Sequence, residues 1–240
     1  MIESFWSVLI VSNIAALVTT IGIFVINKFK KTGLKNVAYF MCFAAGVLIT
    51  VSFMHILPES FELSKQASIF LLTGFFVFYA FDKLIKSNYG EKKSIGLIPM
   101  WGIGFHSFVD GIIYSITFSV SFFTGILAAI GMVFHEFPEG IVTFVFLTKA
   151  GYKKSKATIY SFTAAAITTP IGALISYPFI SKLKGTTTLG SLLAMSAGAL
   201  IYVGAAHLLP EASKEHKKHS YMSLLAGILV ALIIILTKTH

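Results

Sequence analysis

Long apolar runs with few or no charged residues divide this chain, and they constrain its fold more than any other feature. A helix of about 20 apolar residues crosses the hydrocarbon core of a bilayer. Backbone groups cannot stay unpaired in hydrocarbon, so runs of this length favour helices over open sheets. The runs predict eight spans, at about 4–27, 36–57, 66–85, 95–117, 122–148, 157–180, 187–209 and 220–237.

Composition also favours a membrane protein over a soluble one. Apolar residues make up 56% of the chain, and the mean hydropathy is +0.83. The first run lacks the basic start and short apolar core of a signal peptide, so we expect it to be retained as a span. The single Cys42 excludes a disulfide framework and a CxxC metal site. We therefore predict an all-α, polytopic membrane protein with one transmembrane domain over residues 1–240.

Lysine placement predicts the orientation, because lysine supplies all nineteen basic residues. Fifteen lysines fall at the connections that follow spans one, three, five and seven, and four fall on the other side. The positive-inside rule then places both termini outside the cytoplasm. The net charge of +9 is thus explained by topology and by contact with the lipid bilayer, and not by a nucleic-acid patch. Short loops and all-lysine basicity suggest a bacterial or archaeal plasma membrane.

A repeat links the second and seventh spans. Residues 45–59 and 197–211 are identical at nine of fifteen positions. The two spans run in opposite directions in the predicted topology, so the repeat is inverted and the spans group as three, two and three. This plan is common in secondary transporters. The repeated residues at the span ends have two interpretations, as structural groups or as stations on a metal pathway: His55, Glu59, His207 and Glu211.

Three acids in spans four and five need an explanation of their own. Between Lys93 and Lys149, the only formally charged side chains are Asp110, Glu136 and Glu139. A carboxylate in hydrocarbon costs from about 2.5 to well over 10 kcal/mol, so such a group usually faces a cavity, a partner or an ion.

Helical spacing brings these acids beside histidines. His106 and Asp110 are four residues apart, as are His135 and Glu139, so each pair shares one helical face, and Glu136 joins the second face. Two adjacent helices then present nitrogen and oxygen ligands that suit Zn²⁺, Fe²⁺ or Mn²⁺ better than Ca²⁺ or Mg²⁺. One such helix alone could hold a structural hydrogen-bonded pair, whereas two matched pairs favour a metal site. A glycine directly after each pair allows close helix approach.

The combination resembles the ZIP (Zrt/Irt-like protein) family of divalent metal transporters over essentially the whole chain. The resemblance is carried by the eight spans, the motif from His106 to Gly111, the motif from His135 to Gly140, and the His-x-Leu-Pro-Glu ends of spans two and seven. It implies a transporter and not an enzyme, which takes up zinc, or else Fe²⁺, Mn²⁺ or Cd²⁺, as substrate and has no cofactor. It also implies a homodimer and the metal ligands His106, Asp110, His135, Glu136 and Glu139.

Two positions depart from the family pattern. Ser107 stands where the family often has Asn, and Thr169 stands before Pro170 where the family often has Glu. Both positions help to build a second metal site in binuclear members. We therefore predict one well-formed site, with a second site near Ser107 weak or absent.

Two other functions use the same residues. An intramembrane zinc protease would need the HExxH motif that begins at His135, but its second histidine is replaced by Glu139 and Pro138 disturbs the helix. A proton-coupled carrier of another solute could use the acids and histidines as a relay. Metal-dependent transport without proteolysis separates both alternatives from the main prediction.

Overall fold

A computed structural model describes residues 2–28, 37–120, 122–180, 186–214 and 218–236. These residues form eight successive helices and no strand, so the all-helical prediction is confirmed for the described part of the chain. The side chains of some residues within the helices, that of His135 among them, lie outside the description.

Five of the described helices are regular along their length. They are α1 (Ile2–Lys28), α3 (Ala67–Tyr89), α4 (Glu91–Val120), α5 (Phe122–Lys149) and α8 (Ser220–Leu236).

Three other helices each contain a π-helical turn, in which hydrogen bonds span five residues instead of four. Helix α2 consists of Val37–Val51, the π turn Ser52–Ile56 and Leu57–Leu63. Helix α6 consists of Lys154–Ser161, the π turn Phe162–Ile167 and Thr168–Ser176, followed by a 3₁₀ turn, Tyr177–Phe179. Helix α7 consists of Thr187–Ile201, the π turn Tyr202–Leu208 and Leu209–Ser213.

Six helices within the described residues are long and apolar enough to cross a membrane, judged by length and composition. They are α1, α2, α3, α4, α6 and α7. The apolar stretch of α8, Ser220–Ile233, is shorter, and α5, several of whose side chains are not described, is not among the six. Several helices extend beyond the charge-free runs in the sequence; α4, for example, begins at Glu91 and not near residue 95.

The predicted ends of spans two and seven, at about residues 57 and 209, lie directly before Pro58 and Pro210, and they are wrong. Both helices continue through the proline, α2 as far as Leu63 and α7 as far as Ser213. A helical proline lacks an amide donor and clashes with the carbonyl four residues earlier. In both helices a π turn ends two residues before the proline, and its wider hydrogen-bonding pattern lets the helix continue.

The helices pack in two groups. Helix α4 packs on both α5 and α6, and α1 packs on α5. In the second group α2 packs on α8 and α3 packs on α7. Two glycines predicted to allow close approach do so: Gly111 lies against the backbone of α6 at Thr169, and Gly140 against the backbone of α1 at Thr19.

We expect Gly227→Val to lower the free energy of unfolding by about 1–3 kcal/mol, since overpacking at a closed contact costs that much. A Cβ at Gly227 would overlap the carbonyl oxygen of Phe43 on α2. The neighbouring Ala226 is exposed, so Ala226→Val is a matched control that should leave stability nearly unchanged. Thermal unfolding of the two purified variants measures the difference, and equal midpoints would contradict this close contact.

Candidate metal site

Helices α4 and α5 bring three of the predicted ligands together. The Nε2 atom of His106 lies 3.5 Å from Oδ2 of Asp110 on the same helix and 3.6 Å from Oε1 of Glu139 on α5. All three residues are buried, with at most 5% of their surface exposed. The contact between His106 and Asp110 follows from their four-residue spacing, and the contact with Glu139 follows from the packing of α4 on α5.

These distances fit the ligand shell of a divalent metal. Zinc binds His nitrogen and carboxylate oxygen at about 2.0–2.2 Å, which puts the ligand atoms of a tetrahedral site about 3.4 Å apart. The two contacts of His106 Nε2 are close to this spacing. However, no three His, Cys, Asp or Glu side chains within the described part of the chain are arranged as a complete metal site. The side chain of His135, another of the five predicted ligands, lies outside that part.

Hydroxyl groups from α4 and α7 contact this cluster. Oγ of Ser107 lies 3.2 Å from Oε2 of Glu139, so the predicted second-site residue contacts a predicted ligand of the main site. Oγ of Ser196 on α7 lies 3.3 Å from Nδ1 of His106. The ring of His106 thus faces carboxylates with one nitrogen and a hydroxyl with the other.

Glu136 is held by two threonines from other helices. Its Oε2 accepts a hydrogen bond of 2.5 Å from Thr19 on α1, and its Oε1 lies 3.4 Å from the hydroxyl of Thr169 on α6. Glu136 and both threonines are fully buried. The carboxylate therefore joins α1, α5 and α6 through hydrogen bonds.

Sequence reasoning did not select Thr19, Ser196 or a third residue, Tyr114. Tyr114 follows Asp110 by one helical turn, is fully buried, and its hydroxyl has no hydrogen-bond partner among the described residues. Its four-residue spacing from Asp110 is a signal that could have identified it. Thr19 and Ser196 are small polar residues in apolar helices, where hydroxyls often bond only to their own backbone.

The repeated residues of α2 and α7 are not equivalent in burial. His207 is buried, with 6% of its surface exposed, whereas His55 and Glu59 are half-buried. Glu211 is ion-paired, with its Oε1 3.5 Å from Nζ of Lys149 and its Oε2 2.9 Å from Nζ of Lys214. The hydrogen bond to Glu211 raises the pKa of Lys214, so this lysine remains a cation.

Comparisons with known proteins point to a family of metal transporters. The family model described as ZIP Zinc transporter matches residues 87–235, which include α4 to α7 and nearly all of α8. The chain is 26% identical over 263 residues to the zinc transporter ZupT of Clostridium perfringens, with 90% of each chain covered. It is 27% identical over 223 residues to Fe(2+) transport protein 1 of Arabidopsis thaliana, with 70% of this chain and 63% of that protein covered. It is 23% identical to zinc transporter ZIP13 of Pongo abelii, with 83% of this chain and 67% of that protein covered.

We expect Thr19→Val to destabilise the protein by about 1–3 kcal/mol, because it leaves a buried carboxylate oxygen of Glu136 without its hydroxyl donor. Thr20→Val is a matched control, since among the described residues the hydroxyl of Thr20 bonds only to the carbonyl of Ala16 in the same helix. Thermal unfolding of both purified variants measures the effect. A midpoint for Thr19→Val equal to that for Thr20→Val would mean that Thr19 does not support Glu136.

Proposed function

This chain belongs to the ZIP family of metal-ion transporters, and from that premise we propose that it carries zinc into the cytoplasm through a site between α4 and α5. The family is one of transporters, so the protein is a multi-pass membrane transporter of metal ions and not an enzyme, as predicted. The alternative of an intramembrane protease does not fit this membership. The transported metal is the substrate of the protein.

The observation that carries the proposal is the buried contact of His106 with Asp110 and Glu139. An imidazole nitrogen and two carboxylates, contributed by two helices, form a mixed ligand set that suits borderline divalent metals. Burial makes the acids costly unless a cation offsets their charge, so the site favours a cation passing through it. We propose that His135 and Glu136 complete the set, with His135 supplying a second nitrogen.

We propose zinc as the main substrate, with iron, manganese and cadmium as competing ions. Relatives with similar sequences include zinc transporters and an Fe(2+) transport protein. A site of nitrogen and oxygen ligands follows the general affinity order of the metals, in which zinc lies above iron and manganese.

One metal site is proposed per chain. Thr169 offers a hydroxyl to Glu136 where family members often have a carboxylate, and Ser107 offers a hydroxyl to Glu139. Neutral hydroxyls attract a divalent cation less strongly than carboxylates do, so a second ion near Ser107 would bind weakly.

We propose that the helices form an inverted repeat of three, two and three within a single domain. Four crossings bring glycines against backbone, α1 with α5, α4 with α6, α2 with α8 and α3 with α7. In a repeat of this kind, α1, α2 and α3 correspond to α6, α7 and α8, and α4 corresponds to α5. The crossing of α1 with α5 then corresponds to that of α6 with α4, and the crossing of α2 with α8 to that of α7 with α3, which supports the repeat. The glycines are, in the same order, Gly22 and Gly140, Gly111 and Gly172, Gly46 and Gly227, Gly74 and Gly198.

We propose a plasma membrane location with both termini outside the cytoplasm, on the basis of the lysine distribution. In this orientation His207 and Glu211 lie at the cytoplasmic end of α7 and contribute to metal release. Their repeat partners, His55 and Glu59, lie at the outer end of α2 and contribute to metal capture. A homodimer, implied by the family resemblance, stays a prediction.

Uptake into proteoliposomes tests the transport proposal. We expect the wild-type protein to take up zinc, and to take up iron and manganese more slowly. His106→Ala and Glu139→Ala should each lower zinc uptake by at least tenfold, because each removes a metal ligand from the central site.

The two variants need to be folded for this comparison, which size-exclusion chromatography and the unfolding midpoint establish. Ser213→Ala is a control on α7, since its exposed hydroxyl bonds to the carbonyl of Leu209 in the same helix. Uptake of none of the metals by wild-type protein, or uptake that survives both ligand substitutions, would contradict the proposal and favour a carrier of another solute.

Cysteine labelling in intact cells tests the orientation. In a Cys42→Ser background, Gln66→Cys between α2 and α3 should react with a membrane-impermeant maleimide, because the proposed topology places Gln66 outside. Asn88→Cys at the end of α3 should react only after the cells are permeabilised. Both positions are exposed, so access to the reagent is limited only by the membrane. The reverse labelling pattern would invert the topology and the proposed direction of transport.

A further inference from the structure

A buried acid on α3 forms a second polar cluster, separate from the central site. Asp82 is 1% exposed. Its Oδ2 atom accepts hydrogen bonds of 2.7 Å from Nζ of Lys86 and 2.6 Å from the hydroxyl of Tyr202, and its Oδ1 atom accepts one from Ser94. Oδ2 also lies 3.4 Å from Nδ1 of His207. The cluster therefore connects α3, α4 and α7 around one carboxylate.

The ring of His207 has one nitrogen engaged and one nitrogen without a partner. Nδ1 faces Asp82, whereas Nε2 is buried and has no hydrogen-bond partner among the described residues. Leaving a buried polar atom unpaired costs about 1–3 kcal/mol, so an atom of this kind calls for a ligand or another explanation.

His207 lines a partly open pocket beside its ring, with a cavity volume of about 60 Å³. The other charged residues in its wall are Lys86, which is paired with Asp82, and Glu91, Glu211 and Lys214. It therefore offers acidic groups within reach of the histidine and enough room for an ion with some of its water.

The arrangement matches a known rule for metal-binding histidines. A histidine that binds a metal through one nitrogen usually donates the N–H of its other nitrogen to a carboxylate, which fixes the tautomer and the ring orientation. Asp82 can accept from Nδ1–H of His207, which leaves the lone pair of Nε2 free to bind. The other partners of Asp82 fix its carboxylate in place, since each contact comes from a separate side chain.

We propose that Asp82 is a positioning residue that holds His207 in the Nδ1–H tautomer, so that Nε2 binds the transported divalent cation in this pocket. The proposal rests on the transport function proposed above and adds a residue that acts on it through His207. Glu211 forms ion pairs with Lys149 and Lys214, so His207 makes the first contact with the ion. Glu211 then binds the ion as well, after its carboxylate releases one of the two lysines.

Zinc titration of purified protein tests this assignment in a His106→Ala, Glu139→Ala background, which lacks two ligands of the central site. We expect one remaining zinc site that is lost in His207→Ala. Adding Asp82→Leu should weaken this site about 10–100-fold, as changes to the partners of metal-bound histidines do. Asp82→Asn should nearly restore it, because the amide oxygen can accept from His207 while the amide N–H₂ donates to Ser94.

Ser94→Ala is the matched control, since it removes a partner of Asp82 that does not touch His207. Its zinc affinity should stay within about threefold of the background protein, well short of the loss that follows a change to the histidine's own partner. The folding of Asp82→Leu is checked in a chain with the central site intact, where zinc affinity at that site should be unchanged.

The tautomer can be read directly by NMR of protein labelled with ¹⁵N-histidine, in which the His207 signals are those missing from His207→Ala. We expect Nδ1 protonated in the wild-type protein, and a shift towards Nε2 protonation in Asp82→Leu. A wild-type His207 protonated at Nε2, no remaining zinc site, or a site unaffected by His207→Ala or Asp82→Leu would each overturn the assignment. If wild-type protein takes up zinc in proteoliposomes and one of these results is found, only this inference is refuted. If wild-type protein takes up no metal, the transport function itself is refuted.

Discussion

The buried carboxylates of α4 and α5 are the constraint on which the rest of the structure depends. Asp110, Glu136 and Glu139 lie inside a bundle of apolar helices with 5% or less of their surface exposed. Acids in such a place cost several kcal/mol unless each has hydrogen-bond donors or a cation. The surrounding side chains supply the donors: His106 faces two of the acids, and Thr19 and Thr169 face the third.

The donors come from neighbouring helices, so the site depends on how closely those helices approach. Gly140 lets α1 come near enough for Thr19 to reach Glu136, and Gly111 does the same for α6 and Thr169. A side chain at either glycine would meet the backbone of the adjacent helix. The placement of a glycine directly after Asp110 and directly after Glu139 thus serves packing and electrostatics together, which explains why the two motifs have the same form.

The sequence predicted the parts of the fold and site that depend on local spacing. Charge-free runs predicted the helices, and the four-residue spacing predicted the contact of His106 with Asp110. Contacts between distant residues were not predictable in this way: Thr19 and Glu136 are 117 positions apart, and no periodicity links them. The ends of α2 and α7 were mispredicted because a proline usually stops a helix, and nothing in the local pattern signals the π turn that lets these helices pass through one.

Asp82 illustrates a further limit of reading charge along a chain. Beside Lys83 and Lys86, it has the pattern of a solvated helix end, yet it is almost completely buried. Lys86 alone would be a modest partner, because its side chain is 35% exposed and water screens the pair. The hydroxyl of Tyr202 and the ring of His207 reach Asp82 because α7 packs on α3, and the hydroxyl of Ser94 reaches it from α4. Tertiary packing therefore turns an acid near the end of a helix into a hydrogen-bond acceptor with a fixed position.

Tyr202 and His207 both belong to the π turn of α7. The backbone of that turn sets the direction of the His207 side chain, and the carboxylate of Asp82 holds its ring.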